Sequence, residues 1–314
     1  MFYTTDAPKS KLTVFDVGST TVRATFDLTA TPKTLAVTAP LAIASDVPSF
    51  VFIGMNGMAE WRRYRSIDST ELLPYQRFIG AGSDPTVQAL LDPRPPQDDL
   101  VLLTSKELIR FPATTTPFSP AALARRSLST VPSMVGVPVG ATYSGTNVWV
   151  LTAQTGGRHS ITRLTEAFSP TQSIVSDGTP VSVAGAEGAT SPTATTTFVS
   201  TLSQAAGVTQ LCAYVNGNLS LASRRCISLE GDPVIHSSSY VGEIAYAWVL
   251  TKGPGGNRLR RVELRATSLV SAGVVDLGPA QPLALSVQPG PSFYVSADPD
   301  PAATVGFAHV LVRL

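Results

Sequence analysis

The chain has 314 residues, of which 14% are charged and 43% are hydrophobic, and its formal net charge is +1. This composition excludes a disordered chain. The near-zero charge gives no overall attraction to nucleic acid or to acidic membranes, so we expect no nucleic-acid partner.

Nothing in the sequence predicts a membrane span, because no apolar run reaches about 18 residues. The first residues, MFYTTDAPKSKLTVFDVGS, lack the basic and then apolar regions of a signal peptide. Abundant Thr, Ser and Pro with few charges are typical of a surface or secreted protein. We therefore expect an extracytoplasmic location, although this stretch contains no leader.

Short apolar runs with two-residue alternation dominate the chain, and they come in pairs joined by Gly, Asn and Asp turns. Helical periodicity is limited to short turns expected at 84–92 and 120–128. The pattern predicts an all-β protein. In chain order, the predicted hairpins are 12–28, 49–67, 100–111, 147–165, 209–230, 244–266 and 292–314.

The tetrapeptide WVLT occurs at 149–152 and again at 248–251, and LVLLT at 100–104 is a weaker echo. The hairpins recur about every 47 residues, a period typical of the four-stranded blades of β-propellers. The chain thus resembles β-propeller repeat proteins with seven blades, and the two WVLT copies are expected in equivalent strands of blades two apart. No family signature accompanies the resemblance. Tandem β-sandwich domains are the alternative, because the WVLT spacing also matches one immunoglobulin-like domain.

This interpretation predicts a single propeller domain over residues 1–314. The Thr-, Ala- and Pro-rich stretch around 176–207 lengthens one step and is expected to be an insertion or a long loop. The first strand, MFYTT, is expected to complete the last blade, since closing a ring removes exposed sheet edges.

The two cysteines lie symmetrically about Leu219, so a hairpin centred there would place them opposite each other. Cys212 and Cys226 are therefore a disulfide candidate, provided that both side chains share a face. The alternative is two separate buried thiols in a reducing compartment.

Arginine clusters are the most distinctive polar feature, and three of them fall on the second strand of a predicted hairpin. Alternation along a strand puts Arg63 with Arg65, and Arg258 with Arg260, on one face. Guanidinium groups suit carboxylates and phosphates, and Trp61 beside the first cluster could stack on a partner. We expect these five residues to bind a partner; inter-blade salt bridges and surface solvation are the alternative.

No catalytic constellation is recognisable. His159, His236 and His309 form no ligand pair, and acidic stretches such as 229–233 contain no obvious acid and base. We therefore expect no metal and no cofactor, and the catalytic residues, if there are any, stay unknown.

These observations favour a non-enzymatic binding module that recognises a protein or glycan partner through a propeller face. Two alternatives stay open. One is a polysaccharide hydrolase or lyase with its site in the propeller channel, and the other is a structural subunit of a larger assembly.

Overall fold

A computed structural model describes most of the chain as short β-strands. Side chains are described chiefly between residues 86 and 278. The described backbone comprises residues 2–6, 11–15, 22–27, 32–37, 49–55, 60–66, 72–79, 86–91, 99–112, 124–186, 197–215, 219–220, 222–241, 244–254, 256–278, 281–287, 292–298 and 308–313.

The chain divides into two compact units, residues 1–132 and 133–314. Among its described residues the first unit contains three antiparallel sheets, and each first strand contacts the first strand of the next sheet. Sheet 1 consists of β1 (Phe2–Asp6), β2 (Lys11–Phe15) and β3 (Val22–Asp27). Sheet 2 consists of β4 (Pro32–Val37), β5 (Ser49–Met55), β6 (Glu60–Ser66) and β7 (Leu72–Ile79). Sheet 3 consists of β8 (Val87–Leu91), β9 (Asp99–Thr104), β10 (Glu107–Pro112) and β11 (Ala124–Ser127).

The second unit contains four sheets that neighbour one another in the same way. Two 3₁₀ turns, Leu128–Thr130 and Pro132–Met134, lie at the boundary between the units. Sheet 4 consists of β12 (Val137–Ser144), β13 (Asn147–Gln154), β14 (Arg158–Leu164) and β15 (Pro170–Asp177). Sheet 5 consists of β16 (Thr179–Ala186), β17 (Phe198–Ala205), β18 (Val208–Val215) and β19 (Arg224–Leu229). Sheet 6 consists of β20 (Asp232–Val241), β21 (Ile244–Gly253), β22 (Gly256–Leu264) and β23 (Leu269–Gly278). Sheet 7 consists of β24 (Gln281–Val287), β25 (Ser292–Asp298) and β26 (Ala308–Arg313).

Each sheet is a simple meander, because every strand pairs with its neighbours in the sequence. An immunoglobulin-like sandwich needs Greek-key connections between two sheets. The meanders therefore contradict the tandem-sandwich alternative and agree with the prediction of blade-like, all-β repeats.

The first strand of most sheets carries a β-bulge just after its start, and a proline precedes that bulge in five sheets. A proline has no N–H to donate, so it is tolerated at an edge or a bulge where the ladder is already interrupted. The sequence reads TPKT, VPVG, TPVS, DPVI and QPLA at these points. The five prolines are Pro32, Pro138, Pro180, Pro233 and Pro282. In these five sheets the proline therefore marks the start of the repeat, here called the repeat frame, at a more constant position than the apolar runs do.

The two WVLT copies occupy β13 and β21, which are the second strands of sheets 4 and 6. The prediction that they lie in equivalent strands two sheets apart is confirmed. Each tryptophan is buried and faces an arginine on the third strand, Trp149 opposite Arg163 and Trp248 opposite Arg261. The guanidinium carbons lie 5.7 and 5.9 Å from the two indole rings. The repeated WVLT sequence is thus accompanied by a repeated contact, in which an arginine of the third strand lies over the tryptophan ring.

The second strand of sheet 5 was missed in the sequence. It is β17, FVSTLSQA, which lies inside the stretch expected to be an insertion. Its serines and threonine at positions 200, 201 and 203 are buried, which hides the apolar alternation of a core strand. The predicted hairpin 209–230 is consequently the third and fourth strands of its sheet, and residues 187–196 between β16 and β17 lie outside the described part.

Two further expectations were wrong. The segments expected as helical turns contain the strands β8 and β11, since pairing at the two edges of sheet 3 overrides their weak helical propensity. The N-terminal strand β1 pairs with β2 in sheet 1 and does not complete the last sheet. The prediction of one domain over residues 1–314 stays a prediction.

The best-described core lies between sheets 5 and 6. Small and medium apolar side chains from the second and third strands of both sheets pack there, among them Leu202, Leu211, Ala247, Val249 and Val262. This core supports the turns at the edge where the candidate site lies.

Candidate functional site

A pocket of about 190 Å³ lies where the turn from β19 to β20 meets the turn from β21 to β22. Its charged lining is Glu230, Arg258 and Arg260. The remaining wall is formed by Thr251, Pro254 and the backbone of three glycines. The pocket therefore lies entirely within the second unit, at the junction of sheets 5 and 6.

One of these glycines shows how tightly the turns pack. Gly231 has a φ of +86°, and a Cβ built on it would lie 2.7 Å from the carbonyl oxygen of Lys252. Only glycine adopts this conformation while letting the first turn rest against β21. The position of Glu230, the preceding residue, is thereby set.

The two arginines converge on a single carboxylate oxygen. Arg258 Nη1 lies 2.8 Å and Arg260 Nη2 lies 3.2 Å from Oε2 of Glu230. They can do so because residues two apart on a strand point to the same face. Arg261, on the opposite face, instead covers the rings of Tyr246 and Trp248.

The three side chains differ in their contact with solvent. The side chain of Glu230 is 79% exposed, that of Arg258 is 36% exposed and that of Arg260 is 11% exposed. Arg260 Nε is buried, and it has no hydrogen-bond partner among the described residues. Within the pocket lining, two positive charges thus face one negative charge, and a buried guanidinium N–H stays unsatisfied. This arrangement is suited to an additional anionic group.

A second polar cluster lies between sheets 5 and 6, around the buried His236. Nδ1 of His236 lies 2.6 Å from Oγ of Ser182, and Nε2 lies 2.9 Å from Oγ of Ser200. Ser200 donates its one proton to the carbonyl oxygen of Ala184 at 3.2 Å. Oγ of Ser200 also lies 2.8 Å from Oγ of Ser238, so the imidazole belongs to a buried network of hydroxyl and carbonyl groups.

This serine–histidine contact is structural. A nucleophilic serine passes its proton to one basic partner, whereas Oγ of Ser200 is shared among His236, Ser238 and the carbonyl oxygen of Ala184. Ser200 is also completely buried, so no substrate reaches its oxygen. Burial lowers the pKa of His236 from 6.5 to about 4, which keeps the imidazole neutral at physiological pH.

A third cluster joins sheets 4 and 5. Nδ1–H of the buried His159 donates to the carbonyl oxygen of Gly178 at 2.8 Å, and burial lowers the pKa of this histidine. Arg224 Nη1 donates to Oγ of Ser176 at 2.9 Å. Burial raises the pKa of the neighbouring Tyr214. His159 and Arg224 thus find hydrogen-bond partners where the two sheets meet, whereas the buried hydroxyl group of Tyr214 has none among the described residues.

The structure brings together only some of the predicted binding residues. Arg258 and Arg260 lie on β22, the third strand of sheet 6, and both line the pocket. Trp61, Arg63 and Arg65 lie on β6, the equivalent third strand of sheet 2, where the pairing with β7 shifts register after Arg63. Their side chains are outside the described part.

Other arginine clusters serve local structure. Arg125 forms an ion pair with Glu107 at 3.1 Å, and Arg225 donates to the carbonyl oxygens of Ala222 and Thr267. Neither is a salt bridge between sheets, because Arg125 and Glu107 both lie in sheet 3 and Arg225 bonds to carbonyl oxygens.

Sequence reasoning missed Glu230 as the partner of Arg258 and Arg260. The acidic stretch 229–233 was visible, but nothing local connects it with residues almost thirty positions later. The proline-marked frame would have helped, because it places residue 230 just before the first strand of sheet 6.

The two cysteines are directly opposite partners on β18 and β19, with their Cα atoms 4.1 Å apart. Their sulfur atoms are bonded to each other. Cys212 is buried and Cys226 is exposed, so the disulfide ties an edge strand to the interior of sheet 5.

The described part of the chain contains neither a candidate metal site nor a candidate membrane-spanning helix. No group of three or more His, Cys, Asp or Glu residues is arranged to hold a metal ion there. No described helix is long and apolar enough to cross a membrane.

No protein-family model matches the chain, and no curated protein matches its sequence. Solved structures do match. Hydrazine synthase from Kuenenia stuttgartiensis has a TM-score of 0.66 at 12% identity, covering 99% of this chain and 94% of that one. BBS1N, solved in complex with ARL6DN, has a TM-score of 0.63 at 13% identity, covering 94% of this chain and 84% of that one. A catalytically inactive virginiamycin B lyase from Staphylococcus aureus has a TM-score of 0.59 at 11% identity, covering 94% and 90%.

These similarities establish the fold. Together with the seven sheets that the described residues form, they confirm that the chain is an all-β protein with a multi-bladed β-propeller architecture. The neighbours include named enzymes as well as a protein solved with a protein partner. The fold alone therefore does not select among functions.

Proposed function

We propose that the chain is a non-enzymatic binding module that holds a protein partner at the propeller face containing the arginine pocket. The observation that carries this proposal is the convergence of Arg258 and Arg260 on Glu230 at the wall of an open pocket. A rigid sheet presents the two guanidinium groups, and turns surround them, which is the usual arrangement of recognition sites.

The pocket chemistry supports binding over catalysis. Polysaccharide hydrolysis by the common mechanisms needs two carboxylates flanking the bond, whereas the described lining of this pocket contains one carboxylate and two guanidinium groups. The Ser200–His236 contact is completely buried, so it is closed to a substrate. A structural neighbour, BBS1N, was solved in complex with a protein, which adds support for a protein partner.

Two further features belong to the proposal. Trp61, Arg63 and Arg65 on the equivalent strand of sheet 2 are proposed as additional binding residues. The Cys212–Cys226 disulfide is typical of proteins outside the reducing cytosol, and it supports an extracytoplasmic location.

Site-specific photo-crosslinking tests the location of the binding face. A photoreactive amino acid replaces Lys252, which is exposed beside the pocket, and as a control replaces Ser173 on β15, which is exposed on sheet 4. We expect protein adducts of defined mass from position 252 and none from position 173. Adducts from the control position alone, or from neither, would refute the proposed face.

A glycan array on the same purified protein separates the two partner classes. We expect no glycan that binds the wild type and fails to bind the Arg258→Gln variant. Glycan binding that the Arg258→Gln substitution abolishes would replace the protein partner by a glycan, and cleavage of a glycan would replace the binding role by an enzymatic one.

A further inference from the structure

The arginine pocket is already occupied by a carboxylate of the chain itself, and this occupant is loosely held. Glu230 contacts both arginines through one oxygen, while most of its side chain is in solvent. Exposed ion pairs contribute little to stability, because water competes for both charges. Glu230 can therefore leave the half-exposed Arg258 at small cost, and an incoming carboxylate that takes its place keeps the nearly buried Arg260 paired.

Arg260, in contrast, is rigidly presented. It lies on β22, which pairs with β21 on one side and with β23 on the other. Its side chain is nearly buried, and Nε has no described partner. A carboxylate that approaches side-on would satisfy Nε and Nη2 together, which a single oxygen of Glu230 does not do.

We propose that Glu230 is an internal stand-in for an aspartate or glutamate side chain of the protein partner, which displaces it and bonds to Arg258 and Arg260. This inference rests on the proposed function and names the group that the pocket recognises. The partner's carboxylate takes the bidentate position on Arg260, while Arg258 Nη1 supplies a third N–H donor. Glu230 then moves into solvent.

The chemistry of the pocket favours an acidic side chain over a phosphate. The geometry that already accommodates Glu230 is that of a singly charged carboxylate on a short aliphatic stem. A phosphate carries almost two charges. Asp276, which lies opposite Arg258 in the β22–β23 ladder, stays beside the arginines after Glu230 has left. Repulsion from this carboxylate disfavours the second charge.

Fluorescence anisotropy with the full chain tests the inference. The probe is a fluorescein-labelled, C-terminally amidated peptide with two adjacent glutamates between Gly and Ser residues. We expect Glu230→Gln to tighten binding several-fold, since it removes the competing carboxylate. We expect Arg258→Gln and Arg260→Lys to weaken binding about tenfold each, the usual effect of losing one charge-assisted bond.

The matched control is Arg265→Gln, which removes the same charge from an exposed arginine that pairs with Glu263 outside the pocket. We expect its affinity to equal that of the wild type. A circular dichroism melt checks that each variant is folded; if the partly buried Arg260→Lys does not fold, Arg258→Gln and Glu230→Gln carry the test.

Competing ligands distinguish the sources of the negative charge. The inference is overturned if the glutamine version of the peptide binds equally well. It is also overturned if a peptide with only a free C-terminal carboxylate, or inorganic phosphate, competes better than the glutamate peptide, or if Glu230→Gln does not tighten binding. Failure of the glutamate peptide with adducts still formed from position 252 would overturn this inference alone. Loss of those adducts would overturn the proposed function.

Discussion

The buried His236 makes a sharp prediction about stability at acidic pH. Burial lowers the pKa of this imidazole from 6.5 to about 4, and its side-chain partners are hydroxyl groups of Ser182 and Ser200. Between these two pKa values the unfolded chain binds a proton that the folded chain does not bind. Stability therefore rises with pH in this window, and it falls as the pH drops through 6.5 until the loss is complete near 4.

The magnitude follows from the shift. A difference of about 2.5 pKa units between the unfolded and folded states corresponds to about 3 kcal/mol in full. Between pH 7 and pH 4.5 the expected loss attributable to His236 is about 2 kcal/mol.

The assay compares the wild type with His236→Gln in urea titrations at pH 7, 6, 5 and 4.5. Hydrogen exchange of peptides from β16, β17 and β20 reports the region that contains the imidazole. We expect the variant to be less stable at pH 7 and to lose about 2 kcal/mol less than the wild type on acidification. Carboxylates that titrate in the same range cancel in this difference. Parallel losses in the two proteins, or a histidine NMR titration near pH 6.5, would refute the reasoning.

Two further predictions concern the disulfide and the contact between sheets 4 and 5. The Cys212–Cys226 bond closes a segment with a sequence separation of 14. Its removal by the double substitution to serine should lower the unfolding free energy by about 3 kcal/mol, measured in urea. At Gly185 a Cβ would lie 1.8 Å from the carbonyl oxygen of Tyr143. Gly185→Ala should therefore cost about 3 kcal/mol in the same assay, whereas Gly140→Ala, whose Cβ would meet Val183 at 3.6 Å, should be tolerated.

Both predictions have internal controls. A reducing agent should destabilise the wild type and leave the serine double variant unchanged; equal sensitivity of the two would show that the disulfide does not act as described. For the glycines, similar losses in the two alanine variants would contradict the assigned close approach of β16 to β12.

Much of the architecture was predictable because strand pairing between neighbours in the sequence is a local property. Two-residue alternation and Gly, Asn or Asp turns predicted most hairpins, and the WVLT copies at β13 and β21 predicted the equivalence of sheets 4 and 6. The prediction failed at β17, where the buried Ser200 and Thr201 stand at the positions that are tryptophan and valine in β13 and β21. In the repeat frame Ser200 occupies the position of Trp149 and Trp248, and it bonds to His236 on the next sheet.

The candidate site was likewise predictable only in part. Alternation along β22 was enough to place Arg258 and Arg260 on one face. It could not connect them with Glu230, because that contact joins the β19–β20 turn to a strand of the following sheet.

By itself, the sequence of this protein determined the strand class, most hairpins and the repeat, since these depend on side-chain alternation and turn chemistry among near neighbours. Only the tertiary structure decided which strand opens each sheet, which buried hydroxyl groups satisfy His236 and which carboxylate the arginines hold. The side-chain contacts among these form between adjacent sheets. Packing there brings together residues that are far apart in the sequence, and their spacing does not predict that they meet.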